Sequence, residues 1–385
     1  MPDGEPPKTG MRRSGPTSTS VLSEVTITGG RMTGRTDDLE LAALATQFDL
    51  AVAKAAPSTS DRRVTVIESA AASEQDRAVG TDHRWETLIT CPLLQPGLHA
   101  NPLVWGARKP TPELLSRELH STGLPTLERD HDALTVAESL PNRRSGAVVM
   151  EPLLAAALLH ACVGHTVEAD NYVEYGEDLG IAIGDQWSTH RELHVLDDPT
   201  EPGHSGSYEV DDEGSAARST TLIESGRWES LLTSCQHGPT LGHGLTGNGR
   251  RARGASRITP RNSILRALPG ADEPTSIVES IDDGFYCGGP RRSGSMREFV
   301  RIEIAWARRV RRGQLTGEVF RDVELRARKG DILRRLYAIG NDVTLFDNFW
   351  PCEKDGENIY TTLGAPHLGF RSLVLYPSTP GQGPR

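Results

Sequence analysis

Glu151–Asp170, EPLLAAALLHACVGHTVEAD, is the longest apolar helical run in the chain. Leu153, Leu154, Ala157, Leu158 and Ala161 recur at spacings of one, three and four residues. That spacing predicts a helix buried along one broad side. Two histidines close the run, His160 and His165, with Gly164 just before the second. Two neutral imidazoles at the end of a buried helix open many zinc sites; a core histidine with satisfied hydrogen bonds is the alternative reading of each. The spacing is unusual, because zinc helices place the pair four apart on one face. Five apart is about 140° around the axis and ~7.5 Å along it. An undistorted helix cannot aim both rings at one metal. Gly164 can relieve the mismatch by leaving helical geometry or bulging the last turn. Residue 161 is alanine, where a hydrolytic zinc helix would carry its glutamate.

A zinc ion needs a third and often a fourth ligand. Glu168 and Asp170 follow the helix directly, and His194, His204, His237, His243, Cys352 and His367 lie further on. The four histidines from His194 to His243 sit in polar sequence, where a solvated ring is the default. Cys352 sits in NFWPCEKDGE, between a bulky apolar triplet and a turn. It reads either as a small buried hydrophobe or as a thiolate ligand.

Around this centre the chain divides. Residues 1–35 are rich in Pro, Gly, Ser and Thr and read as a disordered leader with a short strand at 21–27. Residues 36–140 form a smaller N-terminal α/β region, with a helix from about 36 to 56, a strand at 64–68, loop over 95–112 and a helix from about 112 to 120. Ala147–Met150 is a strand feeding the central helix. From 181 onward short strands alternate with turns, among them 193–196, 220–224, 228–232, 299–308, 317–325 and 370–376. The expected fold is therefore α+β, with a larger β-rich domain over 141–378 that carries the histidine helix.

Composition narrows function. The chain has 385 residues, a formal net charge of −10 and 5% aromatic residues, which argues against nucleic acid and anionic membranes as partners. No apolar run reaches the ~18 residues of a membrane span. The N-terminal stretch has no apolar segment of the secretory kind. Five scattered cysteines without a CxxC fit a reducing, cytoplasmic setting better than a disulfide framework.

Five pieces of sequence, in order, resemble the TldD/PmbA family of zinc metallopeptidases on its TldD side. The family helix reads roughly HEAxGHxxEGD; here His160, Gly164, His165, Glu168 and Asp170 keep register. Gly206-Ser207 with Asp211-Asp212-Glu213-Gly214 is similar to the GS…DDEG segment, and Thr246-Gly247-Asn248-Gly249-Arg250-Arg251 to the TGNGRR loop. Pro260-Arg261-Asn262 with Leu268-Pro269-Gly270 matches more loosely, and Gly340-Asn341-Asp342 precedes Cys352 as GND precedes the family's ligand cysteine. The resemblance covers about 146–376.

It implies zinc held by His160, His165 and Cys352, and a cytoplasmic homodimer or heterodimer acting on peptides or peptide-like, including natural-product, substrates. Ala161 departs from the pattern, since a methyl group cannot take a proton from metal-bound water. Three readings follow: another base such as Glu168, a different metal-assisted reaction, or a non-catalytic TldE-like partner subunit. Asp212, Asn248 and Arg250 are candidate substrate-binding residues, the last two through backbone N–H groups and a guanidinium that suit a carboxylate. Each also reads as a turn residue.

Overall fold

The computed structural model describes residues 18–28, 31–33, 39–55, 63–72, 82–90, 103–108, 124–252, 257–347 and 352–378. It is an α+β fold, β-rich in its C-terminal part. Five strands there pair in a closed ring. Arg144–Met150 pairs in parallel with Asp283–Met296. The pairing then passes antiparallel through Phe299–Arg311, Val323–Arg328 and Leu368–Pro377, and back to Arg144–Met150. A six-stranded sheet faces it, in the order Arg227–Trp228, Thr220–Glu224, Val195–Asp197, Ile264–Ala267, Thr362–Ala365, Thr344–Asp347.

The central helix, Pro152–Leu159, packs between ring and sheet. All eight of its residues are buried. The expectation of one broad apolar side is corrected: this helix has no solvent face, so Ala155 and Ala156 are as buried as Leu154 and Leu158. Pro152 stands at its first positions, where a missing N–H costs nothing. Glu151, just before it, is fully buried and pairs with Arg129, and its Oε1 accepts the Gly289 N–H at 2.7 Å.

The predicted strand over 317–325 is two strands. Asp322 adopts a left-handed φ of 57° and breaks it into Gln314–Arg321 and Val323–Arg328. These two pair with different halves of Phe299–Arg311, which a single straight strand could not do.

Towards the N-terminus, five antiparallel strands form a sheet in the order Arg31–Thr33, Ser18–Thr28, Arg63–Ala72, Asp82–Thr90, Leu103–Arg108. The helix Leu39–Ala55 packs on it and against the helix Leu124–Thr135. Ser18–Thr28 lies within the expected leader, whose other described part is Arg31–Thr33. Leu103–Arg108 corrects the loop expected over 95–112: the Leu-Val-Trp run outweighs the Pro on either side and the Gly within. The helix expected near 112–120 lies outside the described residues. The helix Leu124–Thr135 rests against the ring, where Asp130 accepts the Trp306 indole N–H at 2.8 Å. No helix among the described residues is long and apolar enough to cross a membrane.

Candidate metal centre

The central helix does not end at Leu159 but changes pitch. Residues His160–Gly164 form a π turn, and the His165 N–H donates to the His160 carbonyl at 3.1 Å. A π turn holds about 4.4 residues, so five residues advance only about 50° past one full turn. The two imidazoles therefore meet, with ring centroids 4.6 Å apart. Gly164 is needed for space rather than for a special φ. A Cβ there would lie 2.7 Å from Asn262 Oδ1 and 3.0 Å from a Leu265 methyl.

Cys352 arrives from the opposite side on a hairpin, Cys352–Lys354 paired with Glu357–Ile359. Asp355 and Gly356, with φ of 55° and 79°, make the two-residue turn. The Cys352 sulfur lies 4.0 Å from His165 Nε2, and one ligand atom from each of His160, His165 and Cys352 falls within 4.8 Å of the others. Ligand atoms of a tetrahedral centre with bonds of about 2.0–2.3 Å sit roughly 3.5 Å apart. His160 Nε2 is buried without a hydrogen-bond partner, a cost that a bound cation would remove. Two imidazoles and a thiolate with an open position suit a borderline-soft divalent metal. Arg261, itself buried, donates to the sulfur from Nε at 3.4 Å and Nη2 at 3.2 Å.

Behind His165 lies a buried ionic network. Glu168 Oε2 is 3.2 Å from His165 Nδ1. A carboxylate can only accept, so Nδ1 carries a proton, and Nε2 is the atom the ring turns to the cluster. Glu168 also accepts from Asn262 Nδ2 at 2.9 Å, Asn171 Nδ2 at 3.0 Å and Lys354 Nζ at 3.0 Å; Lys354 reaches Asp170 at 2.6 Å. Burial works against the charge on Glu168, but Lys354 and then His165 overcome it and hold the carboxyl well below the usual range. Burial likewise opposes the charges on Cys352 and His165. His165 and Arg261 nonetheless hold the thiol far below its ordinary value, and Cys352 with Glu168 lifts the imidazole to about 10. Metal-free, the pair is a thiolate beside an imidazolium.

The structure brings together His160, His165 and Cys352, but not the other candidates. Glu168, expected as a substitute base, stands behind the imidazole with its oxygens occupied, on the far side of the ring from the ligand cluster. Asn248 and Arg250, expected to hold substrate, are buried braces. Asn248 Nδ2 donates to Asp197 at 2.7 Å and to the Arg261 carbonyl at 3.2 Å. Arg250 holds the carbonyls of Asn262 and, at 2.8 Å, Tyr360. Asp212 accepts the Arg251 N–H at 2.8 Å, which ties its turn to the same loop. His204 and His367 pair instead with Asp347 and Asp342, at 2.8 and 2.6 Å. Ala161 is buried and presents only its methyl.

Arg261, Asn262 and Lys354 were not singled out as site residues from sequence. A signal for Lys354 exists, since it stands two residues from Cys352 on one strand and so shares its face.

Fold and site together define a β-rich chain with a buried His/His/Cys cluster. Residues 143–375 match the model of the PmbA/TldA metallopeptidase C-terminal domain, and the chain belongs to the TldD/PmbA family. It is 30% identical over 240 residues to a metalloprotease of Methanocaldococcus jannaschii, a match that covers 60% of this chain and 51% of that one. It is 26% identical over 221 residues to a metalloprotease TldD homolog of Buchnera aphidicola, covering 57% of this chain and 45% of the other. The chain thus spans about half the length of these relatives. The crystal structure of TldE from Thermococcus kodakarensis has the same fold, with a TM-score of 0.63 over 97% of this chain and 81% of that one, at 14% identity.

Proposed function

We propose that this chain is a metallopeptidase-type protein that holds zinc through His160, His165 and Cys352 and acts, with an altered proton-transfer apparatus, on a peptide or peptide-like substrate. The observation that carries the reading is the convergence of the three ligand atoms around the unpartnered His160 Nε2. A bound zinc ion would supply a Lewis acid for a carbonyl or a water. The chain's own residues do the rest. Glu168 fixes the tautomer of His165, Lys354 fixes Glu168, and Arg261 draws charge from the Cys352 sulfur. We assign Glu168 to positioning rather than proton abstraction. A homodimer or a heterodimer with a family homologue, working in the cytoplasm and serving natural-product assembly among other roles, completes the reading.

Ala161 favours a second reading, a non-catalytic TldE-like partner subunit with no proton acceptor at this position. Metal content by mass spectrometry tests the first reading. Protein purified without added metal should carry about one zinc per chain, and Cys352→Ser should lose most of it. Wild type without metal would sink the zinc reading and leave the partner subunit. With metal present, peptide turnover abolished by His160→Ala separates enzyme from subunit.

A further inference from the structure

The inference rests on the metal reading above and concerns what the open position accepts. Cys352 as its thiolate, Glu168 and Asp170 are the anionic groups touching the centre. Among the described residues, two cations touch them and a third lies behind the π turn. Arg261 lies on the sulfur and Lys354 on both carboxylates. The third, Lys329, backs the π turn: its carbonyl oxygen accepts the Cys162 thiol at 3.7 Å and the Trp187 indole N–H at 2.8 Å. With His165 neutral, as a metal ligand must be, these three anions and three cations cancel. A divalent metal then leaves two positive charges in a buried site, where uncompensated charge is expensive. A hydrolytic zinc helix carries a carboxylate beside its first histidine; here a methyl stands in that place.

Lys329 is an independent sign of the same deficit. It is wholly buried, and its Nζ has no hydrogen-bond partner. The Nζ rests over the Tyr175 ring, 5.0 Å from its centre, and the Tyr175 hydroxyl meets the His165 carbonyl at 3.4 Å. Burial lowers the Lys329 ammonium to about 8, so at neutral pH it is a positive charge one side chain away from a proposed ligand.

We propose that the open position of the His160–His165–Cys352 centre takes an anionic group, the carboxylate of a peptide-like substrate, in preference to a neutral amide carbonyl, and that Ala161 and Lys329 set this preference.

The test uses the full chain loaded with zinc and two small probes of equal shape, N-acetylglycine and N-acetylglycinamide, titrated calorimetrically at neutral pH and low salt. The carboxylate should bind at least ~10-fold more tightly, the effect of one charge acting across a partly buried site. Ala161→Glu should erase the preference, and Ala161→Gln, of the same size without the charge, should keep it. Lys329→Met should reduce it several-fold with metal content unchanged. Equal binding of the two probes, binding of neither to metal-loaded protein, or a preference that survives Ala161→Glu in folded protein would each overturn the proposal. Metal content measured on the same samples separates its failure from that of the zinc reading, which falls if the wild type takes up no metal.

Discussion

The His165 amide donates to the His160 carbonyl, five residues back, at 3.1 Å. This one bond turns a spacing unsuited to a shared ligand into one that serves it. It depends on Gly164, whose missing side chain leaves room for Asn262 and Leu265. Gly164→Ala should therefore cost about 1–3 kcal/mol of overpacking. Asn262 would be pushed off Glu168 in the process. A lower urea midpoint together with reduced metal retention would bear this out; a fully metal-loaded variant of wild-type stability would not.

Metal uptake should release about one proton at pH 7.5. In the metal-free protein Cys352 is already a thiolate, so it has none to give. His165 is held protonated up to about 10 and must lose its proton to offer Nε2. Calorimetric titration of zinc in buffers of different ionisation enthalpy measures this number directly. A release near zero would mean that the imidazolium–thiolate pair does not form.

Glu168→Gln keeps the shape of the side chain but removes the acceptor that orients His165. Second-layer changes of this kind typically weaken metal binding roughly 10- to 100-fold. Competition against a chromophoric chelator reads the affinity without any substrate. An unchanged affinity would take Glu168 out of the centre altogether.

Asp197 links site and stability. It is fully buried and accepts from Asn248 Nδ2, the Ser263 N–H at 2.8 Å and the Ser263 hydroxyl. Burial outweighs these bonds and raises its carboxyl from 3.8 to about 6. The native state therefore binds this proton more tightly than the unfolded chain. The stability it contributes is present below pH ~4 and is lost as pH rises through 6, up to ~3 kcal/mol in all. Asp197→Asn should flatten that part of the unfolding profile between pH 4 and 7. A wild-type profile no steeper than the variant's would refute the assignment.

Much of the centre was legible because its parts are local. The His160–His165 segment carries its own helix, its own glycine and its own pair of carboxylates, and Cys352 stands out against an apolar flank. The closed ring was not legible, since Arg144–Met150 meets strands more than 100 residues away and nothing in a short window records that pairing. Glu168 shows a different limit. Its place in the motif is plain, but only the fold tells which side of the His165 ring it occupies. Asn248 and Arg250 show a third limit, since a Gly-Asn-Gly-Arg run looks the same whether its donors face a ligand or the backbone of Arg261 and Asn262.

The Asp355-Gly356 turn has a consequence for how such a protein can lose its chemistry. A two-residue turn of this hand admits one alignment of its arms, and that alignment points Cys352 and Lys354 inward together. One extra residue in the turn would slip the arm by one place and carry both side chains to the outer face. Sulfur and ammonium would leave in a single step while every residue of the centre remained in the sequence. A relative with all the right letters and a longer turn would be silent, and an inventory of motif residues would miss it.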